Sequence, residues 1–274
     1  MSAAEEKDLL SQNAEPGWKN YDDFAEGIDT NRLPNTQDWL TQEVAIEYAD
    51  GFVMALQFIQ GNQNQTLVNW RYKGEQGCDP YEEVCTSEDH YFFDIQFSDM
   101  PNESLTLILN SATRRVLAIR STLLLEEQLS GRSRLVQHFQ AGYILGGPVT
   151  GIEPEPTREL IGYRTLNVYS PNHYYEHFYV NSERYAWQNL RGEQFGYGDM
   201  DYATCYKFEE DMYVFTFRDK IMPVCSVFFF DYVTGRCTGK IMGVTSKGDI
   251  QTSRAGAFIH KMSYNCYPTG VAPL

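Results

Sequence analysis

Tyr48-Ala-Asp-Gly-Phe-Val-Met-Ala-Leu-Gln-Phe58 returns, diverged, as Tyr169-Ser-Pro-Asn-His-Tyr-Tyr-Glu-His-Phe-Tyr179. Each stretch carries a turn signal and then a run of strand-forming side chains, the pattern of a β-hairpin. The likeness continues outward. Tyr91-Phe-Phe-Asp-Ile-Gln-Phe97 matches Tyr213-Val-Phe-Thr-Phe-Arg-Asp219, Pro101 matches Pro223, and Ser104-Leu-Thr-Leu-Ile-Leu-Asn110 resembles Ser226-Val-Phe-Phe-Phe-Asp231. The offset is 121 or 122 residues each time. Ala55, Leu56 and Phe97 in the first copy stand where the second has Glu176, His177 and Asp219. Duplication followed by polar substitution in one copy predicts one scaffolding half and one working half.

At 274 residues the chain holds one large β domain or two of ordinary size. Aromatic residues make up 14% of it, which suits strands that pack rings or line a cavity. Its formal charge is −15, with 22 Lys and Arg against 37 Asp and Glu. Phosphate backbones and anionic lipid surfaces repel such a chain, so neither nucleic acid nor membrane is expected as a partner. The opening Met1-Ser-Ala-Ala-Glu-Glu-Lys7 lacks the basic and apolar segments of a signal peptide, and the longest apolar run, 224–230, is strand-sized. A cytoplasmic location with six reduced cysteines is expected. No CxxC pair is present, so no metal site is expected from the cysteines.

The elements follow from turn signals and alternation. Residues 1–40 read as a loose N-terminal arm with room for one short helix. Strands are expected over 68–72, 91–97, 105–110 and 116–122, with 75–89 as a loop. Residues 123–134 read as a short helix or a connecting loop. The stretch 142–156, with Gly146-Gly147-Pro148 and Glu153-Pro-Glu-Pro156, reads as the linker. The domains are then the arm at 1–40, a first unit at 41–150, a second at 157–264 and a frayed tail at 265–274. Regular strands with little helix argue for antiparallel barrels or sandwiches.

Two strands of the second copy carry candidate chemistry. On 213–219 the pleat places Tyr213, Phe215, Phe217 and Asp219 on one face, rings ending in a carboxylate that desolvation would tune for proton transfer. The alternative is that Asp219 pairs with neighbouring Arg218 or Lys220 at a strand end. On 173–180, His173, Tyr175, His177 and Tyr179 share one face and Tyr174, Glu176 and Phe178 the other. If the first face is inward, His177 suits proton transfer while Tyr175 and Tyr179 donate hydrogen bonds. The bland counterpart is an aromatic barrel face with one satisfied histidine. If the other face is inward, Glu176 is the acid; otherwise it is an exterior salt-bridging residue. His173 and His177 are roughly 13 Å apart along a strand, too far to chelate one metal together. Trp70 and Trp187 recur in both copies, as barrel core or as substrate platforms. Gly192-Glu-Gln-Phe-Gly-Tyr-Gly198 has neither the Lys-Ser/Thr of a P-loop nor a following helix, and reads as a barrel loop.

Tyr174-Tyr-Glu-His-Phe-Tyr179, Trp187 with Gly192-Glu193, Asp199 and Asp201, Tyr213-Val-Phe-Thr-Phe-Arg-Asp-Lys220 with Pro223, and Gly239-Lys-Ile241 with Gly256-Ala257 resemble the MoaF family. The resemblance covers 158–261 and, more weakly, 40–122. It implies an all-β fold of two tandem antiparallel lipocalin-like (calycin) β-barrels. The family's Trp-Arg-Glu-Lys is Phe217-Arg218-Asp219-Lys220 here, and its His is Gln188. The second half is also distantly similar to phenolic acid decarboxylases, cofactor-free lyases of the same barrel type. Their paired tyrosines fall at Asn167 and Tyr169, their glutamate at Asp219 and their arginine near Gln188, so one tyrosine and the arginine are missing.

The leading expectation is a cofactor-independent isomerase, cyclase or lyase acting on an aromatic or polyketide-like metabolite. His177 or Asp219 would be the acid or base and Tyr169 and Tyr175 the hydrogen-bond donors. Arg218 or Lys220 would anchor an anion. Tyr179, Trp187, Phe215 and Phe217 would complete the binding wall. A non-catalytic carrier or sensor is the alternative. The family name adds a third, an accessory protein in molybdenum-cofactor or monoamine metabolism. The expected partner is a small molecule, and a homodimer is compatible with the sequence.

Overall fold

A computed structural model describes residues 21–124, 134–219 and 222–273. Its first unit is a closed barrel of eight antiparallel strands in simple up-and-down order. These are β1 (Glu43–Tyr48), β2 (Val53–Gln60), β3 (Thr66–Tyr72), β4 (Glu75–Ser87), β5 (His90–Gln96), β6 (Glu103–Asn110), β7 (Arg115–Leu123) and β8 (Leu135–Ile144). β8 closes the ring against β1, with Tyr48 opposite Gly142. After the two-residue β9 (Glu155–Pro156) the order repeats as β10 (Tyr163–Ser170), β11 (His173–Asn181), β12 (Arg184–Arg191), β13 (Gly198–Glu209), β14 (Met212–Arg218), β15 (Val224–Asp231), β16 (Arg236–Val244) and β17 (Ile250–Tyr264). The pairing of β12 with β13 closes this second ring. The fold is the pair of tandem antiparallel barrels that the resemblance implied.

Three expectations need correction. The stretch 75–89 is a long strand, β4, not a loop. Its inward carboxylates Asp79 and Glu83 are buried and hydrogen-bonded, so charge masks the alternation. The linker is shorter than 142–156, because β8 runs to Ile144. Most of β8 is only half-buried, which weakens its apolar signal. The arm is not loose over its described part. Its short helix α1 (Tyr21–Ala25) buries Tyr21 and Phe24 against the second barrel. Most of 123–134, read as helix or loop, lies outside the described residues, as do 1–20.

A barrel strand that reads as continuously apolar must be covered on both faces. Every residue of β15 is buried, and nearly every residue of β6. Their inner faces fill the two lumens. Their outer faces meet each other: Phe92, Ile108, Leu117 and Ile119 of the first barrel pack on Phe208, Val214, Val227 and Phe229 of the second. Phe92 is the counterpart of Val214, and Ile108 of Phe229, by their places in the strand registers. The two copies therefore dock through equivalent faces, as the subunits of a twofold dimer do. One feature breaks that symmetry. Lys240 and Asp94 form an ion pair across the interface with side chains 3% and 5% exposed. Their symmetry counterparts are Ile119 and Thr216.

Candidate functional site

Barrel closure decides which face of β11 looks inward. His173, Tyr175, His177 and Tyr179 are buried on the lumen side. Glu176 points outward, where Arg164 grips it with two hydrogen bonds of 2.6 and 2.7 Å and Gln188 adds a third. Of the two roles open to Glu176, the structure places it in the exterior ion pair. That pairing holds its carboxyl below the usual range against the opposing effect of burial.

The inward rings line a narrow, partly open chamber with about 50 Å³ of free space. A ligand larger than a few water-sized groups would enter only if the side chains at its rim shift. β10 contributes Tyr169, β11 Tyr175 and His177, β12 Tyr185 and Trp187, and β13 Asp201. Phe217 and Asp219 come from β14 and its end, and Phe228 from β15. Phe24 and Ile28 of the arm and Gln194 of the glycine-rich loop roof it. Among the sequence candidates, Tyr169, Tyr175, His177, Trp187, Phe217 and Asp219 are thus brought together. Tyr179 and Phe215 lie deeper, with ring centroids 6.3 and 5.6 Å from that of His177, and do not border the chamber. Arg218 points the other way and hydrogen-bonds Gln137 and Thr204, so it neither borders the chamber nor makes the proposed pair with Asp219. Lys220 lies outside the described residues.

His177 is 4% exposed and its Nδ1 has no hydrogen-bond partner among the described residues. Burial drives its pKa down to about 3, against a smaller upward pull from Glu176. At neutral pH it is therefore a neutral imidazole, able to accept or donate a hydrogen bond but a weak base. Burial raises the phenols of Tyr169, Tyr175 and Tyr185 above their ordinary value, so all three remain protonated. The Tyr175 hydroxyl donates to Gln194 Oε1 at 2.7 Å. Asp219 is buried, and its Oδ1 accepts the Met222 N–H at 2.7 Å.

Trp187 Nε1 donates to Asp201 at 2.8 Å, as Trp70 Nε1 donates to Asp79 at 2.6 Å in the first barrel. There the ring of Phe97 packs 5.1 Å from Trp70. Asp219 takes that sequence position in the second barrel, so a carboxylate replaces a core ring beside the same Trp–Asp pair. The first lumen is otherwise filled by rings, including Phe58 stacked on Phe93. Sequence reasoning missed Tyr185, Gln194, Phe24 and Ile28 as lining residues. Asp201 belongs to the stretch that resembles the family, with no role legible from that resemblance. The recurrence of a Trp followed by a buried Asp in both copies was the signal for Asp201; the arm and loop residues carry none. Among the described residues no group of three His, Cys, Asp or Glu side chains is placed to hold a metal, and no helix is long and apolar enough to cross a membrane.

A family model described as the MoaF N-terminal domain matches residues 16–124, and one described as the MoaF C-terminal domain matches 154–265. The chain belongs to the MoaF family. Protein MoaF of Klebsiella aerogenes is 29% identical over 205 residues, which cover 68% of this chain and 75% of that protein. Among solved structures, a putative beta-lactamase from Burkholderia vietnamiensis covers 39% of this chain and 100% of its own, at 15% identity and a TM-score of 0.32. That overlap is too slight to bear on function.

Proposed function

We propose that the second barrel binds a small, planar, largely apolar molecule with a hydroxyl or carbonyl group, and acts on it by proton transfer without a cofactor. The observation that carries this reading is the His177 Nδ1 atom, buried at the wall of an aromatic chamber with no hydrogen-bond partner among the described residues. A buried polar atom left unpaired costs roughly 1–3 kcal/mol, a cost that a bound hydroxyl would relieve. Asp219 is the proton acceptor or donor, Tyr169 the hydrogen-bond donor to a developing enolate, and His177 a neutral positioning group. The reaction class is isomerisation, cyclisation or elimination. Decarboxylation of a hydroxycinnamate is disfavoured, because Asn167 replaces a tyrosine and Gln188, in the arginine position, faces outward to Glu176.

One observation favours a carrier or sensor instead: an imidazole held neutral down to a pKa of about 3 suits binding better than proton shuttling. Turnover separates the two. Small-molecule extracts of the source organism would be incubated with a catalytic amount of protein and compared by mass spectrometry with the His177→Ala/Asp219→Asn double variant. Consumption of a compound far beyond the molar amount of protein, by wild type alone, is expected. Depletion that is only stoichiometric and equal in both would establish the carrier and sink the catalytic assignment.

A further inference from the structure

We propose that residues 21–31 are a strap that opens and closes over the chamber and sets the rate at which ligand enters; this rests on the chamber being a binding site. The strap belongs to neither barrel's sheet. It crosses the mouth of the second barrel, where Phe24 and Ile28 complete the chamber roof. The walls are strands tied edge to edge by ladders, whereas the strap has no ladder and is held by isolated side-chain and backbone bonds and by the buried Tyr21, Phe24 and Ile28. The Tyr21 hydroxyl lies 3.0 Å from the Ile241 carbonyl oxygen and 2.6 Å from Ser253 Oγ. Asp22 accepts from the backbone N–H and hydroxyl of Ser246 at 2.8 and 2.7 Å, on an exposed edge. The Gly256 N–H donates to the Ile28 carbonyl at 3.3 Å, and the Asn31 N–H to that of Tyr169 at 3.0 Å; Asn31 Nδ2 donates to the Val168 carbonyl at 2.9 Å, and Arg236 donates to the Asn31 carbonyl at 2.7 Å. A segment outside the sheet ladders can open as a unit below the global unfolding free energy.

The barrel is notched to receive the strap. A Cβ on Gly243 would stand 2.7 Å from the Tyr21 ring, and one on Gly256 would stand 2.3 Å from Arg32 Cα. Gly27 supplies a positive φ of 78° at the bend between Phe24 and Ile28. The far end is fixed to the first barrel. Arg32 pairs with Glu82 at 3.0 Å, and buried Glu83 accepts from the Thr36 hydroxyl at 2.8 Å and from the Asp38 and Trp39 backbone at 2.8 and 3.2 Å. Over its described length the strap is thus anchored to the first barrel beyond Asn31 and seated on the second barrel from Tyr21 to Asn31.

The test uses the full chain, with 2-naphthol as a fluorescent planar probe. Two variants disturb the strap's fastening without touching the chamber: Gly256→Ala, whose Cβ would press on Arg32 at the anchored end, and Asp22→Ala, which removes an exposed tie. Hydrogen exchange would be followed at the Asn31 and Gly256 amides, and probe uptake by stopped flow. In wild type the two amides should exchange together, faster than amides within β15. In Gly256→Ala both their exchange and probe uptake should rise by about tenfold or more, and in Asp22→Ala by a smaller common factor. Strap amides that exchange only with β15 would overturn the proposal. So would faster strap exchange with unchanged uptake, which would place entry elsewhere on the rim. If no protein binds the probe, the binding reading fails, while the exchange data still decide whether the strap opens.

Discussion

His177 stands where the first barrel has Leu56, and that exchange is the clearest test of what the second barrel does. His177→Leu removes an unpaired buried nitrogen, so at pH 7 stability should hold or rise by about 1 kcal/mol while 2-naphthol binding is lost. The pH dependence has a definite sign. Its folded pKa of about 3 lies below the ordinary 6.5, so between those values the unfolded chain binds the extra proton. Stability from this group is complete above pH 6.5 and declines as pH falls toward 3. Relative to His177→Leu, wild type should lose up to about 1.4 kcal/mol per pH unit within that window, read from urea midpoints. Parallel profiles for the two proteins would mean that the imidazole is hydrated. Asp219→Phe installs the residue of the first barrel. It should leave the fold intact and abolish probe binding, which fluorescence titration would show.

At the scale of elements, each barrel carries the same tie between β3 and β4 or between β12 and β13, a tryptophan N–H donated to a buried aspartate. Trp70→Phe and Trp187→Phe should each cost about 1.5–3 kcal/mol, the range for a hydrogen bond to a charged group. Only Trp187→Phe should also weaken 2-naphthol binding, because only that ring borders the chamber. Equal effects on binding would show that the two lumens do not differ in role. The alternation of β2, β5, β11 and β14 was legible because their ring-bearing faces repeat at the period of a pleat. β4 and β8 were not. β4 carries inward carboxylates that are satisfied only by partners distant in sequence, such as Thr36 for Glu83.

For the whole molecule, the interface resembles a twofold dimer made continuous by duplication, and the Lys240–Asp94 pair distinguishes its two sides. Lys240→Met leaves a buried carboxylate without its cation and should cost about 3–5 kcal/mol in chemical denaturation. The double variant Lys240→Ile/Asp94→Thr, which carries the residues of the symmetry counterparts, should recover most of that loss. If single and double variants are equally unstable, the cost lies in packing rather than in charge. Because the barrels share a buried apolar interface, thermal unfolding should be one cooperative transition.

By itself the sequence determined the duplication, the β class and the polar character of the second copy. Those follow from residue type and period, which are local properties of the chain. Only the tertiary structure decided that His177 faces in and Glu176 out, since a pleat supplies two faces and ring closure alone selects one. It also decided that Arg218 turns away from the chamber and that Phe24 and Ile28 roof it. Those contacts join segments far apart in sequence, so no local pattern records them.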